Sequence, residues 1–553
     1  MIQFSRWRTL APHLLVRSQL HHRILSGSAL RLKRECAPEP SAQITSDLTD
    51  LTAAIRPDEI DAPEACDRMP GARRSASLRD LIGAAAALEL VFLFGFLLPL
   101  SIWRNPHVIS SPQPIATVLG AGAAGALKFA VPVLAGFAVF ALAVRLGMRL
   151  RGRPAVCVVL GATLIFSLTL IPTNPLASKD VFHNVFDART LWVYGQNPGI
   201  VPPNAHRADP LYPSVTAWQA FPSTYGSAWY LIAAAPAAFA GDGLWSNVIG
   251  QKLLAAAFLL ATTGLAMLIA GRLRPGAAVA AGILVGWNPL MEFETAGNGH
   301  NDIVMVCFAL AAILALQRRW WLPVFSLLAL AVATKYALVL LGPLFLCWLL
   351  AQRQLPRRQI LFSLLLGVAG FVALGWWFFA GVSTLSHAGR QAQYITSSPG
   401  ALLDAILRAR FHTSPAAASA IMKLVVVPLY AAAYLCLLRR LRGRMDLEAL
   451  LNAGAWATFL LLLIVTWWFW PWYVVFLVPL AALLPGSRAA LVATVFSATA
   501  MLMYIPYFWL LHANPITHQA ACVATAFLLP ALVALAHVRG RGARFLAPAP
   551  GAP

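Results

Sequence analysis

The chain has 553 residues, of which 59% are hydrophobic and only 11% charged, with a formal net charge of +21. A soluble domain is about 25% charged, and no protein core absorbs this much apolar surface, so a single soluble globule is excluded and lipid must solvate the remainder. Lys and Arg fall in short clusters between apolar runs rather than along one face, which excludes a nucleic-acid-binding stripe and reads as a topology signal.

In chain order, residues 1–78 form a tail of two compositions. Met1 to Arg34 is basic and partly apolar, and Glu35 to Asp67 is acidic and contains Pro, so the tail is expected to be disordered and without function. No short signal peptide with a small-residue cleavage site opens the chain, and insertion is expected to rely on the first spanning helix. Residues 79–540 then carry successive runs of about the 20 apolar residues that cross a bilayer as a helix. They are Leu81–Trp103, Val118–Leu146, Ala155–Pro172, Val248–Ala270, Ala277–Pro289, Ile303–Leu316, Leu322–Thr334, Tyr336–Leu350, Ile360–Ala380, Ala420–Leu438, Leu450–Trp468, Trp472–Leu484, Ala489–Leu511 and Ala520–Ala536. Residues 541–553 are expected to be a disordered C-terminal tail. The fold class is therefore an all-α polytopic membrane protein of about fourteen transmembrane helices.

The basic clusters at Arg145–Arg153, Arg272–Arg274, Arg318–Arg319, Arg353–Arg358, Arg439–Arg444, Arg488 and Arg539–Arg544 are assigned to the cytoplasmic side. They share one side if Tyr225–Ala240, short and interrupted by Pro236, is a re-entrant or juxtamembrane helix that does not cross. The loops 173–224, 291–301 and 381–420 then emerge on the other face. Seven scattered cysteines, Cys36, Cys66, Cys157, Cys307, Cys347, Cys436 and Cys522, contain no CxxC, so neither a disulfide framework nor a zinc site is indicated.

Of the acidic residues, twelve lie beyond the tail, and six of those fall in two outer loops: Asp180, Asp187 and Asp209, then Glu292, Glu294 and Asp302. Ionisable groups at a membrane edge are expensive to desolvate and tend to mark function. Asp180, just past the third run, is placed to act as a general base, but a helix cap from Ser178 or Asp180 explains the same residues. Asp187 and Arg189 have a bland reading as a pair on a surface helix. In the second loop Gly297 and Gly299 allow tight backbone, while Asn298, His300, Asn301 and Asp302 supply polar groups where a helix starts. One His with carboxylates is a weak metal signal. Lys335 either neutralises a phosphate or snorkels to the interface. The turn Trp467–Tyr473 is an interfacial aromatic belt or a surface on which a sugar stacks.

At Ser178-Lys179-Asp180-Val181-Phe182 with Asp187 and Arg189, Tyr194-Gly195-Gln196-Asn197-Pro198, Pro202-Pro203 and Tyr225-Gly226, the chain resembles the first outer loop of GT-C fold glycosyltransferases. Trp287-Asn288-Pro289, Gly297 to Asp302, Thr334-Lys335-Tyr336 and Pro471-Trp472-Tyr473 follow in the same order as in polyprenyl-phosphate-mannose-dependent mannosyltransferases and glycosyltransferase family 87. The resemblance implies a GT-C fold and inverting transfer of a hexose, expected to be mannose, from a polyprenyl-phosphate donor to a glycan or glycolipid acceptor. It implies Asp180 as the catalytic base. Lys335, Arg189 and His300 would bind the donor phosphate, and Asp187, Tyr225, Asn298, Asn301, Asp302, Trp472 and Tyr473 would contact substrate. No cofactor and no metal ligands are expected, with a divalent cation left open. Membrane lipids are partners and nucleic acid is not. The expected location is a bacterial inner or plasma membrane, with the active site extracytoplasmic. The alternative is a secondary transporter or glycolipid flippase, which would more often carry ionisable groups at mid-membrane and two repeated halves; here Glu89 is the main acidic group within a span.

Overall fold

The computed structural model describes residues 76–105, 114–175, 177–379, 381, 394–510 and 514–536, and the expected terminal tails fall almost wholly outside them. Among the described residues all named elements are helices. Nine are long and apolar enough to cross a membrane: Leu78–Leu100, Gly122–Gly147, Arg153–Leu170, Leu244–Leu273, Arg357–Trp376, Pro415–Leu441, Leu447–Val465, Arg488–Trp509 and Pro515–Leu535. Their starts carry the expected signals. Ser77 and Asp80 form a capping box, and Ser414 and Ser487 accept backbone N–H groups at two later starts. The Leu and Val residues these helices leave exposed, such as Leu127, Val131, Leu365 and Leu424, cover faces that lipid can solvate.

The other five apolar runs are broken or shortened, so among the described residues nine of the fourteen expected runs are long enough to cross as single helices, or ten crossings if the bent pair is one span. Pro289–Gly297 and Asp302–Gln317 form one pair bent by 117°. Val324–Thr334, Tyr336–Ala351 and Pro471–Ala482 are shorter apolar helices, and Ala278–Gly286 has nine residues. Ser227–Ala240, with Pro236 inside it, has 14 residues. At about 1.5 Å per residue it is shorter than a hydrocarbon core of about 30 Å.

Residues 291–301, expected as an open outer loop, are instead the helical limb and turn of the bent pair, and they are buried. Lipid contact is therefore not what satisfies their acids. Glu292 accepts from Ser167 at 2.8 Å, and Glu89 of the first span accepts from Thr169 at 2.5 Å, both hydroxyls coming from Arg153–Leu170. Interhelical hydroxyls of this kind replace the water that hydrocarbon excludes.

The stretch 171–226 is organised by a 13-residue helix, Asp180–Trp192, which is buried along most of its length. Two contacts fix its approach. Lys252, fully buried on Leu244–Leu273, donates to the carbonyls of Ile171 at 3.0 Å and Thr173 at 2.5 Å. Gly299, at φ +75, lies where a Cβ would come within 2.9 Å of Val181, so the turn of the bent pair seats directly against this helix.

Candidate active site

One cavity of about 840 Å³ gathers residues far apart in sequence. Its polar end contains Ser178, Lys179, Asp180, His183, Tyr225 and Lys335. Val339, Leu340, Val427, Leu461 and Val465 form an aliphatic wall. A third side is aromatic, with Trp218, Phe221, Tyr394, Trp468, Trp470 and Trp472. The rings pack edge to face there, Trp218 on Tyr394 at 4.9 Å and Tyr394 on Trp468 at 5.4 Å. Thr396 backbone bonds to Trp467 and Phe469, each at 3.0 Å, pin the aromatic turn against this wall.

Asp180 is the first residue of its helix, and the capping position is Lys179, which makes no side-chain cap bond. Ser178 Oγ accepts the Asp180 N–H at 3.1 Å. Asp180 is thus not the cap, and its carboxylate is presented to the cavity. Burial pushes its pKa up, while the charges of Lys335 and His183 pull it back down.

Lys335 sits at an extended break, φ −156 and ψ 130, between Val324–Thr334 and the turn beginning at Tyr336. Its ammonium donates to Asp302 Oδ1 at 2.8 Å and lies 4.9 Å from the Tyr473 ring and 5.6 Å from that of Tyr225. Gly226 N–H donates to Thr334 O at 3.1 Å, and a Cβ on Gly226 would collide with the Ala333 carbonyl. The chain just before Ser227–Ala240 therefore clamps the break that aims Lys335.

The remaining expected site residues form a layer behind this surface. Asp302 is fully buried and holds Lys335. His300 stacks on Trp472 at 4.2 Å, with Nε2 3.4 Å from Glu294. Asn298 donates to Glu294 at 3.1 Å, and Tyr504 donates to the same carboxylate at 2.8 Å. Asn301 is buried at the start of Asp302–Gln317. Asp187 pairs with His183 at 3.2 Å.

Arg189 is turned elsewhere. It donates to Asp209 at 2.9 and 3.0 Å, to Asp242 at 2.8 Å and to the Gly241 carbonyl at 3.0 Å, so its guanidinium is committed to a structural network. Arg189, His300, Asp187, Asn298, Asn301 and Asp302 do not line the cavity, whereas Asp180, Lys335, Tyr225, Trp472 and Tyr473 do. His183, Trp218 and Tyr394 also line it and were not singled out from sequence as site residues. For His183 the signal existed, since a residue three positions after Asp180 shares its helical face.

Membrane-length helices thus come with one cavity that gathers a carboxylate, an ammonium and an aromatic wall. A protein-family model described as alpha-(1->6)-mannopyranosyltransferase, N-terminal domain, matches residues 81–352, a stretch that includes Asp180, Asp302 and Lys335. The chain is accordingly a glycosyltransferase of the mannosyltransferase type and an integral membrane protein, and the resemblance read from its motifs is borne out. The transporter alternative is set aside. No curated protein matches the chain.

Proposed function

We propose that the chain transfers a mannosyl group, with inversion, from a polyprenyl-phosphate donor to a glycan or glycolipid hydroxyl at the extracytoplasmic membrane face. The observation that carries this reading is that Asp180, Lys335 and an aliphatic wall share one cavity. The acceptor O–H gives its proton to Asp180 as its oxygen forms a bond to the anomeric carbon. The bond from that carbon to the phosphate oxygen breaks, and its electron pair leaves with the phosphate beside Lys335. A preformed ammonium at the developing charge is the type of electrostatic stabilisation that contributes most in a water-poor site. The wall of Val339, Val427, Leu461 and Val465 suits the prenyl chain, and the Trp218–Tyr394–Trp468 cluster offers rings on which an acceptor sugar stacks. The family description names an alpha-(1->6) bond; attack with inversion to an α product requires a β-linked donor and a primary acceptor hydroxyl.

Transfer from radiolabelled polyprenyl-phosphate mannose, measured in membranes holding equal amounts of native chain and Asp180→Asn, tests the reading. A general base contributes about 10²–10⁴-fold, so the mutant should lose at least 100-fold of the rate on that basis. Equal transfer by both removes Asp180 from the mechanism, and no transfer by the native chain removes this donor. Lys335 supplies the charge that a divalent cation would otherwise bring, so transfer should persist in chelator.

A further inference from the structure

We propose that His183 is a protonated positioning residue, an imidazolium wedged between Asp187 and the Phe221 carbonyl, which holds Asp180 in its ionised, base-competent form. The inference rests on the mannosyl-transfer reading only for the meaning of that form.

The two groups beside the ring nitrogens favour the charged ring. His183 Nδ1 lies 3.2 Å from Asp187 Oδ1, and Nε2 lies 3.3 Å from the carbonyl oxygen of Phe221. A carbonyl can only accept. A carboxylate can only accept as well. A neutral imidazole has one N–H and would leave one of these buried acceptors facing a lone pair, whereas the imidazolium donates to both. Placing the proton on a carboxyl instead works against ordinary proton affinities, which favour imidazole by about two to three pH units. The ring is buried at 8% exposure, so water does not readily substitute for either bond.

The surrounding charges agree with this assignment. On its own helix the ring faces Asp180 and Asp187. From the break at 335 comes Lys335, already paired with Asp302. Tyr225 faces Asp180 and Asp187, Tyr230 faces Asp187, and on Leu244–Leu273 the Nζ of Lys252 is turned away to the carbonyls of Ile171 and Thr173. In the nearby turn Pro203–His206, His206 stacks on Tyr194 and bonds Gln196. Burial alone would lower the proton affinity of His183, but Asp187, the Phe221 carbonyl and Asp180 together outweigh it and raise it. The coupling is reciprocal: the His183 charge lowers the proton affinity of Asp180, which burial has raised.

Two spectroscopic readouts need no sugar at all. In detergent-solubilised full-length chain, the 15N signals of His183, assigned by their loss in His183→Gln, should be those of a doubly protonated ring at pH 7.5. The 13C carboxyl titration of Asp180, assigned with Asp180→Asn, should move up by roughly one pH unit in His183→Gln and stay near native in His183→Arg, which keeps the cation. The acid limb of transfer from polyprenyl-phosphate mannose should follow the same pattern, with Asp187→Asn displaced in the same direction as His183→Gln.

A neutral His183 ring at pH 7.5 overturns the proposal. So does an Asp180 titration unmoved by His183→Gln, or a uniform loss of rate at every pH, which would mark the ring as merely structural. If the native chain transfers nothing from this donor, the donor assignment falls while the two spectra still decide the role of His183.

Discussion

The Lys335–Asp302 pair combines two roles that mutation can separate. Removing one partner of a buried pair leaves an uncompensated charge, at a cost of about 3–5 kcal/mol. Lys335→Ala should therefore lower thermal stability by an amount of that order as well as abolishing transfer, because Asp302 is fully buried. Adding Asp302→Asn should recover most of the stability and none of the transfer; recovery of transfer would remove Lys335 from the leaving-group role. Arg189→Ala should cost stability on the same scale through Asp209, while KM for the donor stays unchanged, since the guanidinium points away from the cavity. For Asp180 the sign of the pH effect follows from its role. The base must be ionised and burial raises its pKa, so transfer should fall away with acidification above the usual carboxylate range of about 4, and a limb at or below that value contradicts the assignment.

At the scale of elements, the site depends on breaks in helices more than on helices. The Thr334–Lys335 break turns Lys335 into the cavity, the 117° bend brings Asp302 beneath it, and Asp180 opens a helix instead of continuing a span. Gly226 holds these together by its backbone contact with Ala333 and Thr334. Gly226→Ala must push that segment from the break, costing about 1–3 kcal/mol by overpacking, and transfer should fall more steeply than the shift in unfolding temperature alone explains. An unchanged rate would show that the clamp does not set the position of Lys335. The breaks were partly legible in the sequence. Gly297 and Gly299 marked the turn, but the run before it reads equally as an open loop, and only packing showed that residues 289–297 are helical and buried.

For the molecule as a whole, the cavity and a basic loop lie at opposite ends of one helix. Tyr336–Ala351 starts beside Lys335 and leads to the cluster Arg353–Arg358, a separation of about 25 Å at helical rise. With that cluster cytoplasmic, Ala217→Cys in the cavity should react with a membrane-impermeant maleimide on intact cells, and Gln354→Cys only after lysis. The reverse pattern would place the chemistry on the cytoplasmic face.

The sequence by itself determined that lipid solvates this chain, because 59% hydrophobic and 11% charged residues leave no other solvent for its surface. It also determined where chemistry was worth seeking, because acids are scarce in the body and six of them sit in two polar stretches. Local pattern could not determine which of those groups share a space. His300 and Asn298 have the same polar, turn-adjacent setting as Asp302, yet Asp302 holds the ammonium that reaches the cavity while the other two brace Glu294. Arg189 stands nine positions from Asp180 and points to Asp209, whereas Lys335, 155 positions away, meets it across the cavity. Those directions follow from how bent and broken helices pack against one another, a property of contacts between distant segments.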